Sequence, residues 1–153
     1  MRIPDYQDPY LLFGLLFMSN NRLQALGDAF YEEITTKQWF VLAMLDVFGQ
    51  QAPTIGQLAE QMGSSHQNVK QLVDKLVRKG YLTLQRDAAD RRKMRVYPTP
   101  SYAALCRKYQ HKQEVFMQSL FAGIDPQALH SAVQVLLQLQ ENMTQLGTAP
   151  TAD

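Results

Sequence analysis

Cysteine is nearly absent from this chain: Cys106 is the only one in 153 residues. A lone thiol cannot close an internal disulfide, so a reducing cytoplasm is the default setting. No apolar run approaches the roughly 20 residues that a membrane-spanning helix needs. The basic-then-apolar pattern of a signal peptide is missing too, because Pro4, Asp5 and Asp8 interrupt it. His66, His111 and His130 show no metal-ligand spacing. No Ser/His/Asp or Cys/His arrangement can be assembled, so an enzyme is not expected, nor a metal or other cofactor. Internal repeats and low-complexity segments are also lacking. The triplet Asn142-Met143-Thr144 fits a glycosylation acceptor, but a cytoplasmic protein would not be modified there.

What the chain does have is enough apolar content for a core, 46%. Its length suits one domain over 1–153, with or without dimerisation arms. The net charge of +1 hides an asymmetry. From Ser65 to Arg95 there are nine cations and three anions, a balance of +6; the remainder holds six cations and eleven anions, a balance of −5. A basic middle on an acidic frame is the footprint of a localised polyanion contact.

The apolar periodicity predicts a mainly α chain. A first helix is expected from about Asp8 to Tyr31, carrying Leu12, Leu15, Leu16, Leu23, Leu26 and Phe30 at three- and four-residue steps. Its first half is apolar nearly all round, which asks for cover on several sides; a second subunit is the simplest cover. Thr35 with Gln38 forms a capping box ahead of a short buried helix. Thr54 with Gln57 forms another, opening a helix that Gly63 breaks. Ser65 is a fitting cap for the next helix, which stops at Gly80. After two strands, 81–86 and 93–97, a helix from about Ser101 to Ala122 follows. The last helix begins after Asp125-Pro126 and carries Leu129, Ala132, Val133, Leu136, Leu139, Met143 and Leu146, close to a heptad seam that suits pairing with another helix. Residues 147–153 read as a disordered tail.

Two features carry chemistry. The tight helix-turn-helix buries Ile55, Leu58, Ala59 and Met62 on its first helix and Val69, Leu72, Val73, Leu76 and Val77 on its second. That leaves Ser65, His66, Gln67, Asn68, Lys70, Gln71 and Lys75 exposed. Gln and Asn can pair with adenine edges, and Lys reaches guanine or phosphate. The second feature is the hairpin tip Arg86-Asp87-Ala88-Ala89-Asp90-Arg91-Arg92-Lys93-Met94-Arg95. Arg92 is the residue expected in a minor groove, with Asp90 orienting its guanidinium in a fixed fork. Arg86 could close an ion-pair network across the hairpin. For Arg91, Lys93 and Arg95, phosphate contact and solubility are equally good readings.

These residues resemble the MarR family of bacterial winged-helix regulators. The resemblance rests on Gln38-Trp39 with Val41-Leu42, Leu58-Ala59 through Met62-Gly63, Leu72-Val73-Asp74-Lys75-Leu76 with Lys79-Gly80, and Asp90-Arg91-Arg92. The family's hairpin signature has Asp-x-Arg near its tip, so Asp90 and Arg92 carry over directly. Departures occur at His66 and at Tyr97-Pro98-Thr99-Pro100-Ser101. The resemblance implies a winged helix-turn-helix DNA-binding lobe at about 35–100, with the hairpin as its wing. A helical dimerisation lobe would come from about 8–31 and 101–146. It further implies a homodimeric repressor on double-stranded DNA with a near-palindromic operator.

Relatives of that kind often release DNA when a small aromatic or anionic effector enters a cleft. Tyr10, Phe13, Phe17, Trp39 and Tyr109 are the candidate contacts here, although an aromatic stripe at helical spacing is more often core or interface. Cys106, between Leu105 and Arg107, reads as an inert core thiol rather than an oxidant sensor. The competing functional class is a winged-helix protein–protein adaptor that docks an acidic partner on its basic hairpin.

Overall fold

The computed structural model describes residues 7–148. They form six helices and one two-stranded sheet, in two compact units that divide between Arg107 and Lys108. The first unit opens with α1 (Asp8–Phe30) and α2 (Thr36–Val47). Next come α3 (Ile55–Gln61), α4 (His66–Arg78) and the hairpin β1 (Leu82–Arg86) with β2 (Met94–Pro98). Helix α5 (Pro100–Leu120) starts in this unit and ends in the second, which also contains α6 (Pro126–Thr148).

Capping chemistry explains most boundaries. The Thr35 and Thr54 hydroxyls accept from the Gln38 and Gln57 amides, and each glutamine side chain accepts from the threonine's own amide. Both reciprocal boxes satisfy donors that a helix start would otherwise leave bare. Ser65 caps α4 by accepting from the Asn68 amide at 3.2 Å. The turn between α3 and α4 needs a left-handed residue, and Gly63 supplies it at φ 57°. Asp125 caps α6 through the Ala128 amide at 2.8 Å, with Pro126 in the first turn where its missing N–H costs nothing.

Packing follows the expected faces. Val41, Leu42, Leu58, Val69, Val73, Leu76 and Val96 are wholly buried, so α2, α3, α4 and β2 share one core. Met62 and Val77, expected inside, are only half-buried because they stand at the ends of α3 and α4. The strands pair antiparallel, Leu84 opposite Val96 and Arg86 opposite Met94. Their limits differ from the expected ones by one residue: Tyr81 and Lys93 lie outside the ladder, and Pro98 is its last residue.

Helix α1 is joined to α2 by polar contacts rather than by buried apolar groups, since none of its residues is buried. The Thr36 hydroxyl donates to the Gln24 carbonyl and to Asp28 Oδ1, and the Thr36 amide donates to the same carboxylate at 2.6 Å. Gly27 makes this approach possible, because a Cβ there would stand 2.4 Å from Thr36 Oγ1. The apolar residues of α1 remain uncovered: Tyr10 is 71% exposed, Phe13 65% and Phe17 62%. In the second unit, Val133, Leu136, Leu137, Met143 and Leu146 of α6 are likewise exposed, and Tyr109 is buried. Helix α6 runs two residues past the expected end, so Gly147 and Thr148 are helical; residues 149–153 of the expected tail lie outside the described residues.

Candidate nucleic-acid interface

Helix α4 presents its polar residues because its apolar ones are consumed by the core. Burying Val69, Leu72, Val73 and Leu76 on one side turns Ser65, His66, Gln67, Asn68, Lys70, Gln71 and Lys75 outward, and all seven are exposed. Besides the Ser65 cap, two of them have local side-chain partners. Asn68 Nδ2 donates to Ser64 Oγ at 2.9 Å, which pins the amide near the helix start. Lys70 Nζ pairs with Asp74 at 2.7 Å, one turn along the helix. An exposed pair of this kind is worth only ~0–1 kcal/mol and is readily exchanged for another anion. Among the described residues, no ion pair or hydrogen bond holds the Lys75 ammonium.

The hairpin tip is organised by two aspartates. Asp87, 6% exposed, is the only charged side chain buried among the described residues. Its Oδ1 accepts from the amides of Ala89 (2.9 Å) and Asp90 (2.7 Å), and its Oδ2 takes Arg95 Nε. The Asp90 amide and then the Arg95 guanidinium hold the Asp87 carboxyl below its usual range. Asp90 in turn accepts from Arg92 twice, Nε at 3.2 Å and backbone N at 3.1 Å, with Lys93 Nζ at 3.7 Å. These Arg92 bonds hold the Asp90 carboxyl down as well. The Arg92 side chain is nevertheless 91% exposed, its guanidinium held by Asp90 at Nε.

The nine cations of the basic window therefore divide by use. Arg95 is structural: besides Asp87, its Nη1 donates to the Ala52 carbonyl between α2 and α3. The expected ion pair across the hairpin exists, but Arg95 makes it with Asp87, and Arg86 does not take part. Lys79 is structural too, bonded to the buried Gln38 Oε1 at 3.1 Å and to the Glu33 carbonyl. Both look like surface charge in sequence, because the carbonyl and amide acceptors that hold them to the rest of the lobe lie 41 to 46 residues away. The Asp87 turn had one legible signal, an aspartate two and three residues ahead of the amides it accepts. Among the described residues, the side chains of Lys75, Arg78, Arg86 and Arg91 have no polar partner, which leaves them available to an anion.

Of the five aromatics expected at an effector, the structure gathers only some. Phe13 and Phe17 meet edge-on, ring centres 5.1 Å apart, on the exposed face of α1 that also carries Tyr10. Trp39 instead lines a cavity of about 610 Å³ formed by α1, α2 and the α3–α4 turn. Asn20, Gln24, Lys37, Phe40 and Asn68 are among its other walls. Tyr109 lies in the second unit, where Lys108 and Lys112 Nζ stand 5.1 and 5.6 Å from its ring centre. Cys106 is exposed rather than a core thiol: Leu105 takes the buried position, and Cys106 is turned one helical step away. It lies against the half-buried Tyr102 hydroxyl, whose pKa burial pushes up.

Three helices followed by a hairpin, the third helix capped and exposing its polar face and the hairpin carrying a basic tip, define a winged helix-turn-helix protein. The family model for the MarR family matches residues 33–93. Over those residues the chain is similar to the MarR family of winged-helix transcriptional regulators. Solved structures agree in fold. Bordetella bronchiseptica BpsR, whose DNA binding is regulated by 6-hydroxynicotinic acid, is 25% identical over 88% of this chain and 96% of its own (TM-score 0.72). MepR of S. aureus, solved as a DNA complex, is 20% identical over 90% of this chain and 99% of its own (TM-score 0.75). PcaV of Streptomyces coelicolor, solved with its natural ligand, is 19% identical over 88% and 93% (TM-score 0.70). A search of the curated proteins returns no match.

Proposed function

We propose that this regulator is a homodimeric repressor that binds duplex DNA at a near-palindromic operator. In this reading the N-terminal turns of α4 enter the major groove. Gln67, Asn68 and Gln71 face base edges, while Ser65, His66, Lys70 and Lys75 meet phosphates or guanine. Arg92 enters the adjacent minor groove, steadied by Asp90, and Arg91 and Lys93 meet the backbone. The observation that carries the reading is the pairing of two surfaces in one compact unit: an exposed polar helix start, and an arginine held by Asp90 yet 91% exposed. The DNA complex of the similarly folded MepR supports it.

The uncovered apolar residues of α1 and α6 support a homodimer, since contiguous exposed apolar side chains mark an interaction surface. Two-fold symmetry then sets the half-sites about 10 base pairs apart. The ligand-responsive neighbours BpsR and PcaV support release by a small aromatic or anionic effector. The cavity beside Trp39 and Lys37 offers an aromatic face and a cation for such a molecule, and Tyr10, Phe13, Phe17 and Tyr109 are secondary candidates.

Selection of bound sequences from random duplex DNA tests the proposal. A palindromic motif with that spacing, retained less as salt rises, is the expected result. Retention without sequence preference, or none at all, overturns it.

A further inference from the structure

The DNA-binding reading above uses Arg92 and Asp90 and leaves the buried pair beneath them, Asp87 and Arg95, without a task. Strand pairing ends at Arg86 opposite Met94, so residues 88–92 have no ladder to shape them. Beyond the ladder, backbone bonds contribute only Asp87 N to the Lys93 carbonyl (3.0 Å) and Lys93 N to the Asp90 carbonyl (2.9 Å). The remaining constraints come from two carboxylates: Asp90 accepts from the Arg92 amide and Nε, and Asp87 ties that turn to the body of the lobe. Asp87 holds the amides of Ala89 and Asp90 with one oxygen and Arg95 with the other. Arg95 in turn donates to the Ala52 carbonyl, and its backbone bridges to Thr54. The next residue repeats the tie, with the Val96 amide on the Pro53 carbonyl at 2.9 Å. A continuous polar chain thus runs from the α2–α3 loop through Arg95, Asp87 and Asp90 to Arg92.

We propose that Asp87 and Arg95 are positioning residues for DNA binding: they lock the wing tip to the α2–α3 loop and so set where the Arg92 guanidinium stands. The proposal rests on the DNA-binding reading. It gives Arg95 no phosphate of its own, because the side chain is only 24% exposed and its Nε and Nη1 already serve two protein acceptors. It also explains an anion inside a basic wing. By charge alone Asp87 repels DNA, and its removal would tighten binding. As a positioning group it must do the opposite.

That difference in sign is the test. The tightest duplex recovered by random-sequence selection serves as the probe, and affinity is read at one fixed salt concentration. D87N is expected to bind about tenfold more weakly, within the roughly 5- to 150-fold that one side-chain contact to a base carries. R95K keeps the charge but loses the planar fork, and it is expected to weaken binding as well. Neither change is expected to matter in an R92A background, where nothing remains to position. Unchanged or tighter binding by D87N overturns the proposal. So does a D87N or R95K loss that persists at full size in the R92A background, since it would then not act through Arg92. Helical ellipticity and thermal midpoint of each variant separate a displaced wing from an unfolded chain, and R95K keeps the test open if D87N does not fold. If the wild-type protein shows no salt-dependent duplex binding, the underlying reading fails first, and this proposal falls with it.

Discussion

Helix α4 and the wing offer similar chemistry to a partner, polar and cationic side chains on an exposed surface, yet they hold it in opposite ways. The helix is an apolar device. Four residues spaced by its own period are buried, and the outward face follows from that burial, with only local side-chain contacts such as Asn68–Ser64 and Lys70–Asp74 on it. The wing is a polar device. Its tip is shaped by a buried carboxylate, two amides and a guanidinium, and little apolar area is involved. Burial of apolar area is non-directional and tolerant of small shifts. A hydrogen-bonded charge network is directional and fails when one member is lost. The recognition helix should therefore be robust in position and sensitive in stability, and the wing the reverse.

Leu76→Ala should produce the largest effect and fall on the helix side of that comparison. Leu76 is fully buried, so a cost of about 2–5 kcal/mol in unfolding free energy is expected. Urea denaturation checks it, and a loss below 1 kcal/mol would contradict the apolar account of α4. Arg92→Ala tests the wing side. Operator binding should weaken by about 1–3 kcal/mol with the thermal midpoint unchanged, because the side chain is almost wholly exposed. Unaltered affinity would remove the wing from the interface.

Smaller effects sharpen the contrast. Ser65→Ala removes the cap of α4 and should cost about 1 kcal/mol of stability, seen as a lower thermal midpoint. Lys75→Ala should flatten the salt dependence of DNA binding by about 0.9 in log–log slope if it neutralises one phosphate. Lys70→Ala should change it no more than that, because Lys70 already has Asp74. A larger change for Lys70 would reverse their order. The pH response should be smallest and confined to acid, carried by the two wing aspartates and by Asp28, whose carboxyl the Thr36 amide and hydroxyl hold down. Asp87 and Asp90 are both held below 3.8, so their contribution is complete above that value and is lost as pH falls below it through the lowered folded value. Amide resonances of Ala89 and Asp90 should move only in that acid window, while those of Val73 and Leu76 stay put. Movement near neutral pH would break the assignment.

Much of the molecule was legible from residues close together in the chain. Thr35 with Gln38, Thr54 with Gln57, Ser65, Gly63 and Gly80 mark helix ends by chemistry completed within a few residues, and each boundary lies where that chemistry places it. The outward set on α4 was legible for the same reason. Contacts that depend on chain reversal were not. Lys79 is one more cation of the basic window in sequence, and only the fold brings Gln38 and the Glu33 carbonyl within its reach. Arg95 was ambiguous until the strand register brought it beside Asp87. The close approach of Gly27 to Thr36 gave no pattern at all, because glycine in a helix looks only like a weak helix former.

The sequence by itself determined the elements, their ends, the buried stripe of α4 and the charged tip of the hairpin, because each depends on periodicity or on capping within one or two turns. Tertiary structure alone decided which cations are free and which are spent. That choice depends on acceptors as far as 46 residues away, and only packing and strand register bring such groups within hydrogen-bonding distance.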